Sequence, residues 1–194
     1  MTQLTHADLM TLETYSKERD AFRAKVLEHK KNRRVKLGDN ATLYFEDKLT
    51  IQYQIQEMLR IEKIFEQDAI DEELSVYNPL IPNGQNLKAT FMIEYTDIAE
   101  RRLALEKLIG IEDAVWLQVT GFEKVMAIAD EDMERDNAEK TSAVHFMRFE
   151  FTPEMTSAAC SGADINIGSD HKNLTIAYSI SAKIKKSLVS DFEC

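Results

Sequence analysis

Between residues 87 and 95 the chain alternates with a period of two. Leu87, Ala89, Phe91, Ile93 and Tyr95 fall on one side, and Lys88, Thr90, Met92 and Glu94 on the other. Successive side chains of a strand point to opposite faces, so this stretch predicts a half-buried β-strand. The same reasoning gives a hairpin with Val115, Leu117 and Val119 inward, a turn at Gly121-Phe122, and a return strand through Val125, Ala127 and Ala129. A long strand follows from Thr141 to Phe151, and two more cover about Ala163–Ile167 and Leu174–Ile180. Upstream, Val35 and Leu37 suggest a short strand, with Gly38-Asp39-Asn40 turning the chain into a partner through Leu43 and Phe45.

Helical periodicity dominates elsewhere. Thr5 and Asp8 mark a short opening turn, and a helix is expected from about Lys17 to Arg33, with Phe22, Val26 and His29 inward. Asp47 is placed to cap the most strongly patterned helix, about Lys48 to Gln67. A further helix, about Asp68 to Tyr77, should stop at Asn78-Pro79, because proline disfavours helical geometry in the residue before it. Asp97 and Gly110 bracket another to about Ile109. Pro153 starts a short helix, and a last one spans about Ala182 to Phe192.

Hairpin-linked strands with helices grouped at the front and between them predict an α+β fold. The expected sheet is antiparallel-dominated or mixed, of about six to eight strands, with helices at the N-terminus and on one face. Strict strand–helix alternation is missing, which argues against a doubly wound nucleotide-binding fold. No repeat or Pro/Gly-rich linker divides residues 1–194, so a single domain is expected, with an N-terminal helical part of about 1–34 packed on it.

The formal charge is −10, which disfavours general attraction to nucleic acid or to an anionic membrane. No apolar run approaches a membrane span, and the first residues carry Asp8 and Glu13 rather than a basic-then-apolar leader. A cytoplasmic location is the resulting expectation. Cys160 and Cys194 match no metal or redox spacing and are taken as reduced thiols.

The candidate chemistry is sparse. On the helix from Lys48, Ile51, Ile55, Met58, Leu59, Ile61 and Phe65 form one apolar arc, with Glu62 projecting into its middle and Gln54 also on it. A buried carboxylate must be paired, hydrogen-bonded or protonated. Glu62 is therefore either a metal ligand or general acid/base, or a structural partner in a buried salt bridge. His145 shares a strand face with Ala143, Met147, Phe149 and Phe151, which makes it either a site residue or a satisfied core imidazole. Glu62 and His145 would form one site if they met across a helix–sheet interface.

Two charged stretches complete the survey. Asp130 to Asp136 resembles the start of a calcium loop but has Arg135 where the sharp-turn glycine belongs and Thr141 where the bidentate glutamate belongs, so a solvated acidic loop is expected. Arg19, Arg23, Lys25, Lys30, Lys31, Arg33, Arg34 and Lys36 form a basic cluster, and Lys30, Lys31, Arg33 and Arg34 are its partner-binding candidates. Cations near a helix C-terminus also suit the helix dipole without any ligand. No phosphate-loop, dinucleotide, nucleophile-elbow or zinc-protease motif is present, and no cofactor or metal site is identified.

Five segments carry a family resemblance: HKKNRR (His29–Arg34), YQIQEMLR (Tyr53–Arg60), YNPLIP (Tyr77–Pro82), AIADED (Ala127–Asp132) and KTSAVHF (Lys140–Phe146). Together they resemble a bacterial domain-of-unknown-function family, number 3501, over nearly the whole chain. The resemblance brings no catalytic residues. It implies an accessory protein near peroxide or redox metabolism, because members are often encoded beside a rubrerythrin and an iron–sulfur oxidoreductase. Lys172 and Asn173, after Asp170-His171, depart from the family's Pro-containing stretch. The leading expectation is a protein that binds a protein partner, a redox protein by the family resemblance, with homo-oligomerisation open. The other is a small enzyme or ligand- or metal-binding protein with a site near Glu62, Gln54 and His145.

Overall fold

The computed structural model describes residues 3–129 and 140–194, so most of the acidic stretch Asp130–Lys140, with its calcium-loop comparison, lies outside the described residues. The fold is α+β and antiparallel. The strands are β1 (Arg34–Lys36), β2 (Ala41–Glu46), β3 (Asn86–Ile93), β4 (Val115–Val119), β5 (Val125–Met126), β6 (Ile128–Ala129), β7 (Val144–Glu150), β8 (Ile165–His171) and β9 (Leu174–Ser179). They divide into two sheets, ordered β1-β2-β3-β7-β6 and β5-β4-β8-β9, where the periodicity suggested one. The expected return strand from Val125 to Ala129 is where the sheets part. Val125 and Met126 pair with β4, the amide of Ala127 donates to the Val115 carbonyl, and Ile128 and Ala129 pair with β7.

The sheets pack through their inner faces. Leu43, Phe45, Leu87, Phe91 and Phe149 from one join Leu117, Ile165 and Ile167 from the other in one core. Burying each such side chain stabilises the fold by roughly 1.5–3 kcal/mol, and truncating Phe91 to alanine would cost about 3–5 kcal/mol. Helices α4 (Ile98–Lys107), α5 (Pro153–Cys160) and α6 (Ala182–Val189) are attached to this core through Leu105, Ala159 and Leu188.

A second, smaller core lies in the helical layer. Helix α1 (Leu12–Lys30) starts five residues before the expected Lys17, because the Thr11 hydroxyl accepts the Thr14 amide at 3.2 Å and fixes an earlier N-cap. Helix α2 (Lys48–Glu62) is capped as expected by Asp47, but Lys63 adopts left-handed geometry (φ 56°) and ends it five residues before Gln67. Helix α3 (Gln67–Tyr77) follows, and Pro79 sits in the 3-10 turn Asn78–Leu80. Ile51, Ile55 and Leu59 of α2 pack with Leu4, Leu74 and Ile81, separate from the inter-sheet core.

The early end of α2 overturns one sequence expectation. Glu62 is exposed, and so are Ile61 and Phe65, at 61% and 70%. Glu62 does lie within about 20° of the Ile51–Ile55 direction at 100° per residue. That direction is buried only as far as Leu59, and the last turn runs past what α2 packs against.

Candidate functional site

Arg33 is a large side chain with only 1% exposure, whereas the sequence placed it in a surface cluster. Its guanidinium donates to both carboxylate oxygens of Asp191, to the carbonyls of Phe45, Glu46 and Ser187, and lies 3.3 Å from Asp47. Asp47 in turn meets His29 Nε2 at 2.5 Å. Burial pushes the Asp191 carboxyl up to about 6 against the opposing pull of Arg33. Burial also acts to raise Asp47, but Arg33, the Thr50 amide and His29 outweigh it and hold that carboxyl low. Every formal charge here is answered, which makes it a closed structural knot joining α1, β2, α2 and the segment after α6. The signal missed in the sequence is that Arg33 continues the period-two line of Val35 and Leu37. Lys31 and Arg34 are exposed and Lys30 is half-buried, so only Arg33 leaves the proposed surface.

His145 lies 8% exposed on the inner face of β7, as its neighbours indicated. Its Nε2 is 3.0 Å from the Ser142 carbonyl and 3.1 Å from the Thr141 hydroxyl, and the Glu112 carboxylate is 4.0 Å away. Helix α2 lies over the opposite face of that sheet, since Ile51 and Gln54 share a cavity with the outward side chains Tyr44, Thr90 and Phe146. The sheet therefore separates Glu62 from His145, and the two do not form one site. Gln54 is exposed at the rim of this cavity.

That cavity is the more informative place. About 390 Å³ lies between the helical layer and the outer face of the first sheet, walled by Ile51, Tyr77, Leu80, Met92 and Phe146. A second cavity of about 270 Å³ shares Glu46, Leu80, Thr90 and Phe146 with it and adds Lys88 and Arg148. The register explains the grouping. Glu46 pairs with Lys88 across β2–β3, and Lys88 pairs with Arg148 across β3–β7, so three charged side chains form one transverse row.

The partners of this row are uneven. Arg148 donates to Glu150 at 2.6 Å, and burial of Glu150 is outweighed by its hydrogen bonds from Asn86 and Arg148, which keep it ionised. Lys88 donates to the Pro79 carbonyl and has no ion pair among the described residues. Burial, then the charge of Arg148, lowers the Lys88 pKa from its ordinary value. Glu46 accepts from the Thr90 hydroxyl at 3.0 Å and likewise has no ion pair among the described residues. Alternation puts Lys88 and Thr90 on one face of β3, and Phe146, Arg148 and Glu150 on the face of β7 opposite His145. It lacks the register that aligns them.

Two other places are less suited to chemistry. A cavity of about 430 Å³ beside α4 includes Asn40 and Asn173, but both amides already donate to backbone carbonyls, of Glu94 and Lys107. Cys160 and Cys194 are joined in a disulfide, with Cα atoms 5.7 Å apart, rather than being free thiols. Packing of α5 against α6 brings together positions that are 34 residues apart in sequence. Among the described residues no three His, Cys, Asp or Glu side chains are grouped to hold a metal ion, and no helix is long and apolar enough to cross a membrane.

The chain is similar in sequence and structure to a solved protein from Burkholderia pseudomallei K96243, described as a novel protein of unknown function. The two share 50% identity and superpose with a TM-score of 0.93, covering 99% of this chain and 100% of that one. No curated protein matches the chain. Residues 3–192 match the profile of the family described as "Protein of unknown function (DUF3501)", and the chain belongs to that family.

Proposed function

We propose that this protein is a small-molecule-binding accessory protein whose site is the cleft between the helical layer and the outer face of the first sheet. The observation that carries the reading is that two neighbouring cavities share Glu46, Leu80, Thr90 and Phe146, the larger adding Ile51, Met92 and Lys30 and the smaller Lys88 and Arg148. An apolar enclosure with a few polar groups at one end is the usual form of a small-ligand site. A cytoplasmic setting belongs to the same proposal, and there cellular thiols would act on the Cys160–Cys194 bond.

The test uses a neutral apolar fluorophore, 1-aminoanthracene, with purified protein. Saturable one-to-one binding that is lost in Thr90→Phe, a substitution whose ring would occupy the space shared by both cavities, supports the cleft. Binding that Thr90→Phe leaves unchanged in a folded protein would place the probe elsewhere and end the reading. A partner-protein role has its own observation, the exposure of Lys31, Arg34 and Lys36 around β1. Reversal of Lys31 and Arg34 to Glu, sparing Arg33, is the appropriate capture experiment for it.

A further inference from the structure

The cleft proposed above holds an unusual pairing failure. Glu46 and Lys88 are direct cross-strand neighbours of opposite charge, yet they form no ion pair with each other. Each is bonded instead to a neutral group, the Thr90 hydroxyl or the Pro79 carbonyl. Both are half-buried, and both line the smaller cavity. Directly beyond Lys88 stands Arg148, so two cations face each other across adjacent strands, with Glu150, 2.6 Å from Arg148, as their shared counter-charge. Elsewhere in the molecule carboxylates close on their cations, as Glu57 does on Arg19 at 2.8 Å and Asp170 on Lys124 at 2.7 Å.

A carboxylate beside an ammonium, neither ion-paired among the described residues and both facing one cavity, is complementary to a ligand that carries both charges itself. The order along the row supplies the orientation. The Lys88–Arg148 pair suits a carboxylate, and adjacent strands are about 4.8 Å apart, so a flexible pair of side chains can close on one group. Glu46 stands next in the row and lines both cavities, which places it to accept from an ammonium two bonds away from that carboxylate's carbon. The larger cavity then begins, with Phe146, Met92 and Ile51 as its apolar wall. Carboxylate, ammonium and apolar body in that sequence describe a free α-amino acid with an apolar side chain.

We infer that the cleft binds an apolar α-amino acid as its zwitterion, with the carboxylate between Lys88 and Arg148, the ammonium on Glu46, and the side chain beneath the helical layer. This rests on the cleft reading above. The acid and the lysine, held apart by the Thr90 hydroxyl and the Pro79 carbonyl, could each exchange that neutral partner for a charge on the ligand. A simple carboxylate would leave Glu46 without a cation, and a simple amine would leave Lys88 without an ion pair, since Glu150 already answers Arg148.

The experiment is titration calorimetry with leucine, methionine and phenylalanine, each against its deamino acid and its decarboxylated amine. At least one amino acid should bind about tenfold or more tightly than both of its analogues, the margin expected for one charge-assisted contact. Glu46→Gln should erase the advantage over the deamino acid, and Lys88→Met the advantage over the amine, in variants whose circular dichroism matches wild type. Equal binding of amino acid and analogues, or no amino-acid binding while 1-aminoanthracene still occupies the cleft, would overturn the zwitterion inference and leave the cleft standing. Loss of every ligand, the neutral probe included, would remove the cleft reading itself.

Discussion

The molecule contains two assemblies of the same kinds of charged residue, and they are built on opposite plans. Around Arg33 the guanidinium, Asp191, Asp47 and His29 are turned toward one another and largely removed from water. Around Lys88 the side chains are half-exposed, line open space and decline the ion pair that their register offers. In the first case low dielectric makes any missing partner costly, so every bond must be made within the chain. In the second, solvent tolerates unmet charge until something better arrives. Completeness of pairing, rather than the number of charges, distinguishes a structural knot from a candidate site.

The sharpest way to break this comparison is to remove the knot's cation. Arg33→Met should destabilise the protein by about 3–5 kcal/mol, measured by urea denaturation, because it strands two buried carboxylates. A loss below about 1 kcal/mol would mean that the knot is less dry than it looks. The disulfide tests the same region from its other end, since it ties down the segment that carries Asp191. Cys160→Ser should cost about 2–4 kcal/mol, the range expected when a loop of this length loses its crosslink.

The knot also carries a pH signature. The Asp191 carboxyl is raised in the folded state to about 6 from an ordinary 3.8. The folded chain therefore holds a proton that the unfolded chain releases first. The associated stability is full below the ordinary value and is lost as pH rises through about 6, by roughly 3 kcal/mol at most. Asp191→Asn should flatten that fall in thermal stability between pH 4 and 7. Glu57 has the opposite sign. Hydrogen bonding from Arg19 holds its carboxyl at about 2, so its contribution is full above the ordinary 4.5 and fades only as pH drops toward 2.

Smaller effects follow outside the knot. His145→Gln should keep the fold and cost about 1 kcal/mol, because an amide can still donate toward the Ser142 carbonyl. Lys88→Met should fall within about 0.5 kcal/mol of wild type, leaning toward stabilisation, since it relieves the like-charge pair with Arg148. A large loss at Lys88 would collapse the contrast by making the row structural as well. Opposite responses of Arg33 and Lys88 to the same replacement would establish it.

Much of this could be read from the chain before any coordinates. Alternation placed Phe91 and Phe149 inward and Lys88 and Arg148 outward, because a strand's period of two depends only on backbone geometry. Asp47 and Asp97 capped the helices they were expected to cap, since capping is a contact three residues long. The amino-acid sequence thus determined the elements, their inward faces, the α+β class and the family motifs.

Only the tertiary structure decided which elements meet. Helical angle placed Glu62 on the Ile51 stripe, but a helical wheel has no axial coordinate and does not show where the neighbouring layer stops. Charge made Arg33 a surface residue until Asp191, 158 positions later, arrived to neutralise it. Cys160 and Cys194 looked unrelated until α5 packed against α6. The row Glu46–Lys88–Arg148 exists only in the register of three strands drawn from distant parts of the chain. Local periodicity is a property of the backbone and is visible residue by residue, whereas charge pairing and enclosure are sums over long-range contacts, fixed only once the whole chain has chosen its partners.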